Sequence, residues 1–140
     1  MITAGLTTSF KKDILLGVHD FETDVLKIAL YTSDAVLGPD TQGYTTVAEV
    51  TGVGYTQGGQ ILANVVVQSS LTQSIAYVNF DDPTWDASTF ATRGALIYNS
   101  SKSNKSIAVL NFGINQTMLS QQFQIQLPPD NVDSAIIRIS

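Results

Sequence analysis

The chain has 140 residues, of which 44% are hydrophobic and only 14% charged, and its formal net charge is −5. That length suits one domain, in which folding hides roughly 68–70% of the surface an unfolded chain exposes, and the charged fraction falls well below the usual figure of about 25%. Seven Lys and Arg scattered along the chain form no basic stripe for nucleic acid, and the lack of cysteine excludes disulfides, thiolate catalysis and Cys-ligated zinc.

From the first residue, residues 1–6 lack the features of a secretory signal, and no apolar run approaches the roughly 20 residues that span a bilayer. A single domain over 1–140, made in a cytoplasm and free of membrane anchors, is expected. Leu6, Phe10, Ile14, Val18 and Phe21 recur at helical spacing, with Thr8 or Ser9 as N-cap and Gly17 near the end, so a helix opens the chain. Residues 24–32 then alternate, with Leu26, Ile28 and Leu30 on one side and Lys27, Ala29 and Tyr31 on the other. The pattern predicts a strand with one buried face.

Residues 33–59 are rich in turn formers, including Gly38-Pro39-Asp40 and Gly52, Gly54, Gly58 and Gly59, and read as a structured loop. Short β-type runs follow at 61–68, 75–80, 94–98, 107–112, 123–127 and 136–139, separated by turn clusters such as 100–106. Phe123, Ile125 and Leu127 alternate with Gln122, Gln124 and Gln126, the pattern of an antiparallel strand with one dry face. With no helical pattern between the strands, the fold class is mainly β: an antiparallel β-sandwich or small barrel of about seven strands with one N-terminal α-helix. The expected core comprises Phe10, Ile14, Leu26, Ile28, Leu30, Ile61, Val65, Val78, Phe80, Leu96, Leu110, Phe123, Ile125 and Ile137.

Chemical motifs are few. The glycines at 52–59 have neither the spacing of a dinucleotide fingerprint nor the Lys-Ser/Thr of a P-loop, and a β-branched run follows them, so they serve backbone geometry. His19 is the only histidine, no Gly-x-Ser-x-Gly elbow exists, and His19 reads as a helix-end residue. Asp81, Asp82 and Asp86, around Pro83 and Trp85, form the densest acidic cluster. Calcium is one use of such carboxylates, but the alternation of an EF-hand is missing and a turn anchored by Trp85 is the commoner use. No cofactor and no enzymatic activity are expected.

Several blocks together carry a resemblance. Phe10-Lys11-Lys12-Asp13-Ile14-Leu15-Leu16-Gly17-Val18-His19-Asp20-Phe21, Lys27-Ile28-Ala29-Leu30-Tyr31-Thr32-Ser33 and Glu49-Val50-Thr51-Gly52-Val53-Gly54-Tyr55-Thr56-Gln57-Gly58-Gly59 are followed by Pro83-Thr84-Trp85-Asp86-Ala87-Ser88-Thr89, Thr92-Arg93-Gly94-Ala95-Leu96-Ile97-Tyr98-Asn99, Leu110-Asn111-Phe112-Gly113 and Ile136-Ile137-Arg138-Ile139. In this order they resemble a family of small virion structural proteins of tailed bacteriophages, with Asn111 where the family usually has Asp. The resemblance implies a particle component: a decoration or cement protein on the head that binds the major capsid protein or other virion proteins. A homo-oligomer such as a trimer is implied as well. A tail, collar or fibre-associated component is the alternative in the same class, and a carbohydrate-binding module using Trp85, Tyr31, Tyr44 or Tyr55 is the alternative outside it. For the docking surface, the candidates are Tyr44, Tyr55, Trp85 and Arg93, on the 33–59 loop and near the Trp85 turn.

Overall fold

Thr7 starts the helix: its side chain accepts a hydrogen bond from the Phe10 N–H at 3.3 Å while its backbone stays extended, which satisfies one of the free donors of the first turn. In the computed structural model, which describes residues 1–127 and 135–140, the elements in chain order are β1 (Gly5–Leu6), α1 (Thr8–Leu15), β2 (Leu26–Tyr31), β3 (Gln60–Ile61), β4 (Val66–Ser70), β5 (Ile75–Asn79), β6 (Thr84–Asn99), β7 (Lys105–Gln124) and β8 (Ile137–Ile139). The helix is shorter than its hydrophobic spacing predicts. Leu6 belongs to β1, and Gly17, at φ +67°, ends the last turn by donating to the Ile14 carbonyl, leaving Phe21 beyond the helix.

Two antiparallel sheets result, one of five strands in the order β1-β7-β6-β2-β3 and one of three in the order β4-β5-β8. They face each other as an open sandwich, the sandwich form of the expected fold class. The interior between them holds Phe10 from α1, Leu26, Ile28 and Leu30 from β2, Ala95 and Ile97 from β6, and Val78 and Ile137 from the smaller sheet. At the far end of the β6–β7 hairpin the same interior is lined by rings, with Phe123 meeting Trp85, Phe90 and Phe112 at centroid distances of 5.8 to 6.0 Å.

The larger sheet is dry on its other face too. Ala29, Tyr31, Leu96, Tyr98 and Val109 pack there against Ile2, Ala35 and Leu37, brought by the N-terminal segment and the loop after β2. The one-sided burial expected for residues 24–32 is therefore corrected: β2 is a central strand between β6 and β3, and the 33–59 loop supplies its second cover.

Other boundaries move for related reasons. The run 61–68 divides into β3 and β4, which join different sheets, and Ile61, expected in the core, is 60% exposed. Trp85 lies in β6 rather than in a turn, and the runs 94–98 and 107–112 are parts of the long β6 and β7. The pairing of these two strands is interrupted: Thr92 pairs with Gln116 and Gly94 with Asn111, so residues 112–115 stand opposite Arg93 alone.

Gly59 shows how tightly the loop closes on the sheet. At φ +78° it lies against β2, and a Cβ there would overlap the Ile28 carbonyl. Gly17 has a similar φ but open space around it. Gly59→Ala is expected to prevent folding or lower stability by about 3 kcal/mol or more, whereas Gly17→Ala costs only the left-handed backbone, about 1–2 kcal/mol. Urea denaturation of the two variants measures the difference, and equal midpoints would contradict the close approach.

Candidate functional site

The four residues expected at a docking surface have different fates. Trp85 is only 5% exposed and its ring lies 6.4 Å from that of Tyr55, so it is a core residue and not a surface anchor. Tyr44 is half-buried and stacks on Tyr98 with centroids 4.8 Å apart. Tyr55 is half-buried as well, its hydroxyl accepting from the Leu30 N–H at 3.0 Å. Arg93 is half-buried on β6, and its Nε is buried without a hydrogen-bond partner among the described residues.

Tyr44 and Tyr55 converge on a residue that the sequence reading passed over. Glu49, 8% exposed, accepts from the Tyr44 hydroxyl at 2.7 Å, the Tyr55 hydroxyl at 2.6 Å and the Gly58 N–H at 2.7 Å. Three donors on one carboxylate replace the water that burial removes. The Gly58 carbonyl in turn accepts from Tyr98, and Tyr31 donates to the Thr45 carbonyl, each at 2.6 Å. Burial first, and the Glu49 charge second, pushes the Tyr98 hydroxyl up to about 12. Burial also leads the upward shifts of Tyr31, Tyr44 and Tyr55, with hydrogen bonding to Glu49 adding to it in the last two. These phenols stay protonated and donating, so the network is a latch that holds the loop on the sheet.

The latch has a measurable weight. Glu49→Ala strands one buried and two part-buried donors and is expected to cost about 3 kcal/mol, while Tyr44→Phe removes one hydrogen bond for about 1 kcal/mol. Chemical denaturation of both variants checks the ranking, and a cost below 1 kcal/mol for Glu49→Ala would contradict it.

The acidic cluster disperses. Asp81 accepts from Asn64, Asp82 from the Leu127 N–H at 3.2 Å, and Asp86 from Gln122 at 2.9 Å. Among the described residues no three His, Cys, Asp or Glu side chains are grouped to hold a metal ion. Each carboxylate instead fastens a neighbouring strand or loop.

His19 lies past the end of α1, its side chain 1% exposed and its ring 5.2 Å from Phe10 and 6.1 Å from Phe21. Its Nδ1 is 2.9 Å from the Asn99 side-chain nitrogen, which also donates to Asp24 at 2.8 Å. A donating amide makes Nδ1 the acceptor and puts the proton on Nε2, which faces Asp13 Oδ2 at 3.7 Å. Lys105 approaches the same Asp13 oxygen at 3.7 Å, and Lys102 approaches Asp24 at 3.4 Å. The cluster ties the segment after α1 to the β6–β7 turn.

Burial lowers the His19 pKa, outweighing the attraction of Asp13 and Asp24, with Lys105 and Lys102 lowering it further. For Asp24, burial acts upward, but hydrogen bonds from Asp20, Asn99 and Lys102 win and hold it below the usual carboxylate range. Both folded-state values are depressed, so both stabilities are full above the unfolded values and shrink as pH falls. The His19 contribution fades below pH 6.5 and that of Asp24 below pH 3.8. Urea midpoints should therefore decline between pH 7 and 5, and His19→Leu should flatten that decline. An unchanged slope in the variant would refute the role of His19.

Neither a family model, nor a curated protein, nor a solved structure matches the chain. No helix among the described residues is long and apolar enough to cross a membrane.

Proposed function

We propose that this chain is a structural component of a tailed-phage particle, a head decoration or cement protein that binds across capsid subunits and stabilises the shell. The observation that carries the reading is the distribution of charge over the surface. Residues 50–80 and 106–127 contain no charged side chain, and they build β3, β4, β5 and all of β7 after Lys105. Much of this stretch is exposed, including Val53, Ile61, Leu71, Ile114 and Leu119 at 60% or more. Neutral polar groups and single apolar side chains lose little solvation when a partner covers them, whereas charges lose much.

Backbone geometry adds to this. On the outer edge of β7, β1 pairs only with Ala108 and Val109, so among the described residues the rest of that edge offers its N–H and C=O groups to no strand. Natural proteins usually guard such an edge with Lys, Glu or Pro, and after Lys105 this one has none. A chain meant to stand alone in solution gains nothing from that arrangement, while one that binds neighbours does. The blocks resembling small virion proteins supply the kind of assembly, and repetition over a symmetric shell multiplies weak contacts. The tyrosines and tryptophan needed for sugar stacking are buried or committed to one another, which speaks against a carbohydrate-binding module.

Cryo-electron microscopy of purified particles at side-chain resolution tests the reading. Density for this chain is expected on the outside of the head, at junctions between capsid subunits, in a symmetric oligomer. Density confined to the tail, collar or fibres would overturn the head assignment, and absence from the particle would overturn the whole proposal.

A further inference from the structure

Arg93 projects from β6 where the β6–β7 ladder is broken, opposite residues 112–115. Bulges of this kind turn side chains away from the regular pleat and recur beside binding sites. With Met1, Ile2, Ser33 and Asn111 it lines a cleft of about 290 Å³ on the outer face of the larger sheet. Among the described residues Arg93 has neither a hydrogen bond nor an ion pair, and its Nε is shut off from solvent. The nearby groups do not serve it. Asn111 is committed, donating to the Ile2 carbonyl and accepting from the Gly113 N–H, each at 2.8 Å.

A guanidinium partly stripped of water and left without an anion is costly, and its planar fork of donors matches the two oxygens of a carboxylate. We propose that the Arg93 cleft is a carboxylate-binding site that takes an Asp or Glu side chain of a neighbouring protein subunit. This rests on the docking reading above and names the partner's chemistry. Charge decides between anions. A chain of net charge −5 repels an extended polyanion but accepts one carboxylate at a local positive site. The rim suits a protein partner: Met1 and Val36, 87% and 85% exposed, flank adjoining hollows, and Arg and Met are enriched where interfaces bury their centre. The Ser33 hydroxyl, exposed in the same cleft, can donate a further hydrogen bond to a bound carboxylate.

The chain has two arginines, Arg93 and Arg138, so the Nε–H region of a ¹⁵N spectrum is simple, and an Arg93→Gln variant assigns the signal. Titration with N-acetyl-aspartate amide should move the Arg93 Nε–H saturably, and the matching asparagine amide should not. No saturable shift, or an equal shift with the asparagine compound, overturns the site. Inorganic phosphate saturating the signal at a lower concentration overturns the choice of carboxylate.

A second arm uses particles lacking this protein. Wild-type chain should co-sediment with them, and Arg93→Gln and Arg93→Glu, with unchanged urea midpoints, should bind about tenfold more weakly or worse. If the wild type binds and both variants bind equally well, the inference fails and the docking reading survives. If the wild type does not bind particles while the Arg93 signal still titrates with the aspartate amide, the docking reading fails and the carboxylate site stands.

Discussion

Strand β6 is buried along its second half on both faces, from Gly94 to Asn99, and most of the molecule follows from meeting that condition. A strand flanked by β7 and β2 has its backbone groups satisfied, but each row of side chains still needs a cover. Ala95 and Ile97 face the small sheet and α1; Leu96 and Tyr98 face the other way. Among the described residues no second sheet lies on that side, and the N-terminal segment and the loop after β2 cover it. An irregular loop placed there carries unsatisfied polar groups and must be tied down by side chains. Glu49 meets that need by joining Tyr44, Tyr55 and Gly58, and the glycine at 59 lets the backbone come against β2 without a Cβ in the way.

The same condition explains what could be read from the residues and what could not. Alternation at Leu26, Ile28 and Leu30 marked the inner row of β2 correctly, because the neighbouring small sheet imposes a regular period. Ala29 and Tyr31 looked solvent-facing because their cover comes from a loop with no period of its own. Ile61 looked like core because it opens a run of apolar residues, yet that run bends between sheets and leaves it outside. The long strands hid themselves for a third reason. Shifts in the β6–β7 register near Ser88 and Arg93 break the alternation, so one hairpin reads as several short runs with turns between them. The polar tract 100–106 was legible as a turn from its composition, although its last two residues, Lys105 and Ser106, already belong to β7.

Functional residues were harder still. The partners of His19 are Asn99, 80 positions away, and Asp13, and no local pattern announces their meeting. Glu49 resembles any surface glutamate until Tyr44 and Tyr55 of its own loop are seen to close on it beside Tyr31 and Tyr98 of the sheet. The aromatic residues picked as docking anchors were picked for their type, and type misleads here: Trp85, the largest, fills the sandwich end beside Phe123. Arg93 differs because what singles it out is a missing partner among the described residues, which no local pattern in the sequence announces.

Lys102 and Lys105 sit at the β6–β7 turn with Asp24 and Asp13, so part of the charge this chain carries is spent inside the fold on fastening the turn to the helix side. Its long neutral stretches are largely exposed, and one guanidinium on the opposite face of the larger sheet has no counter-ion among the described residues. A surface that is neutral over wide areas confers little orientation on a partner, since apolar and amide contacts tolerate many registers. A single desolvated cation does the reverse, contributing specificity and penalising any docking pose that leaves it unpaired. On the proposed docking reading the two features are complementary: area from the uncharged strands would allow close approach, and Arg93 would select which approach is kept.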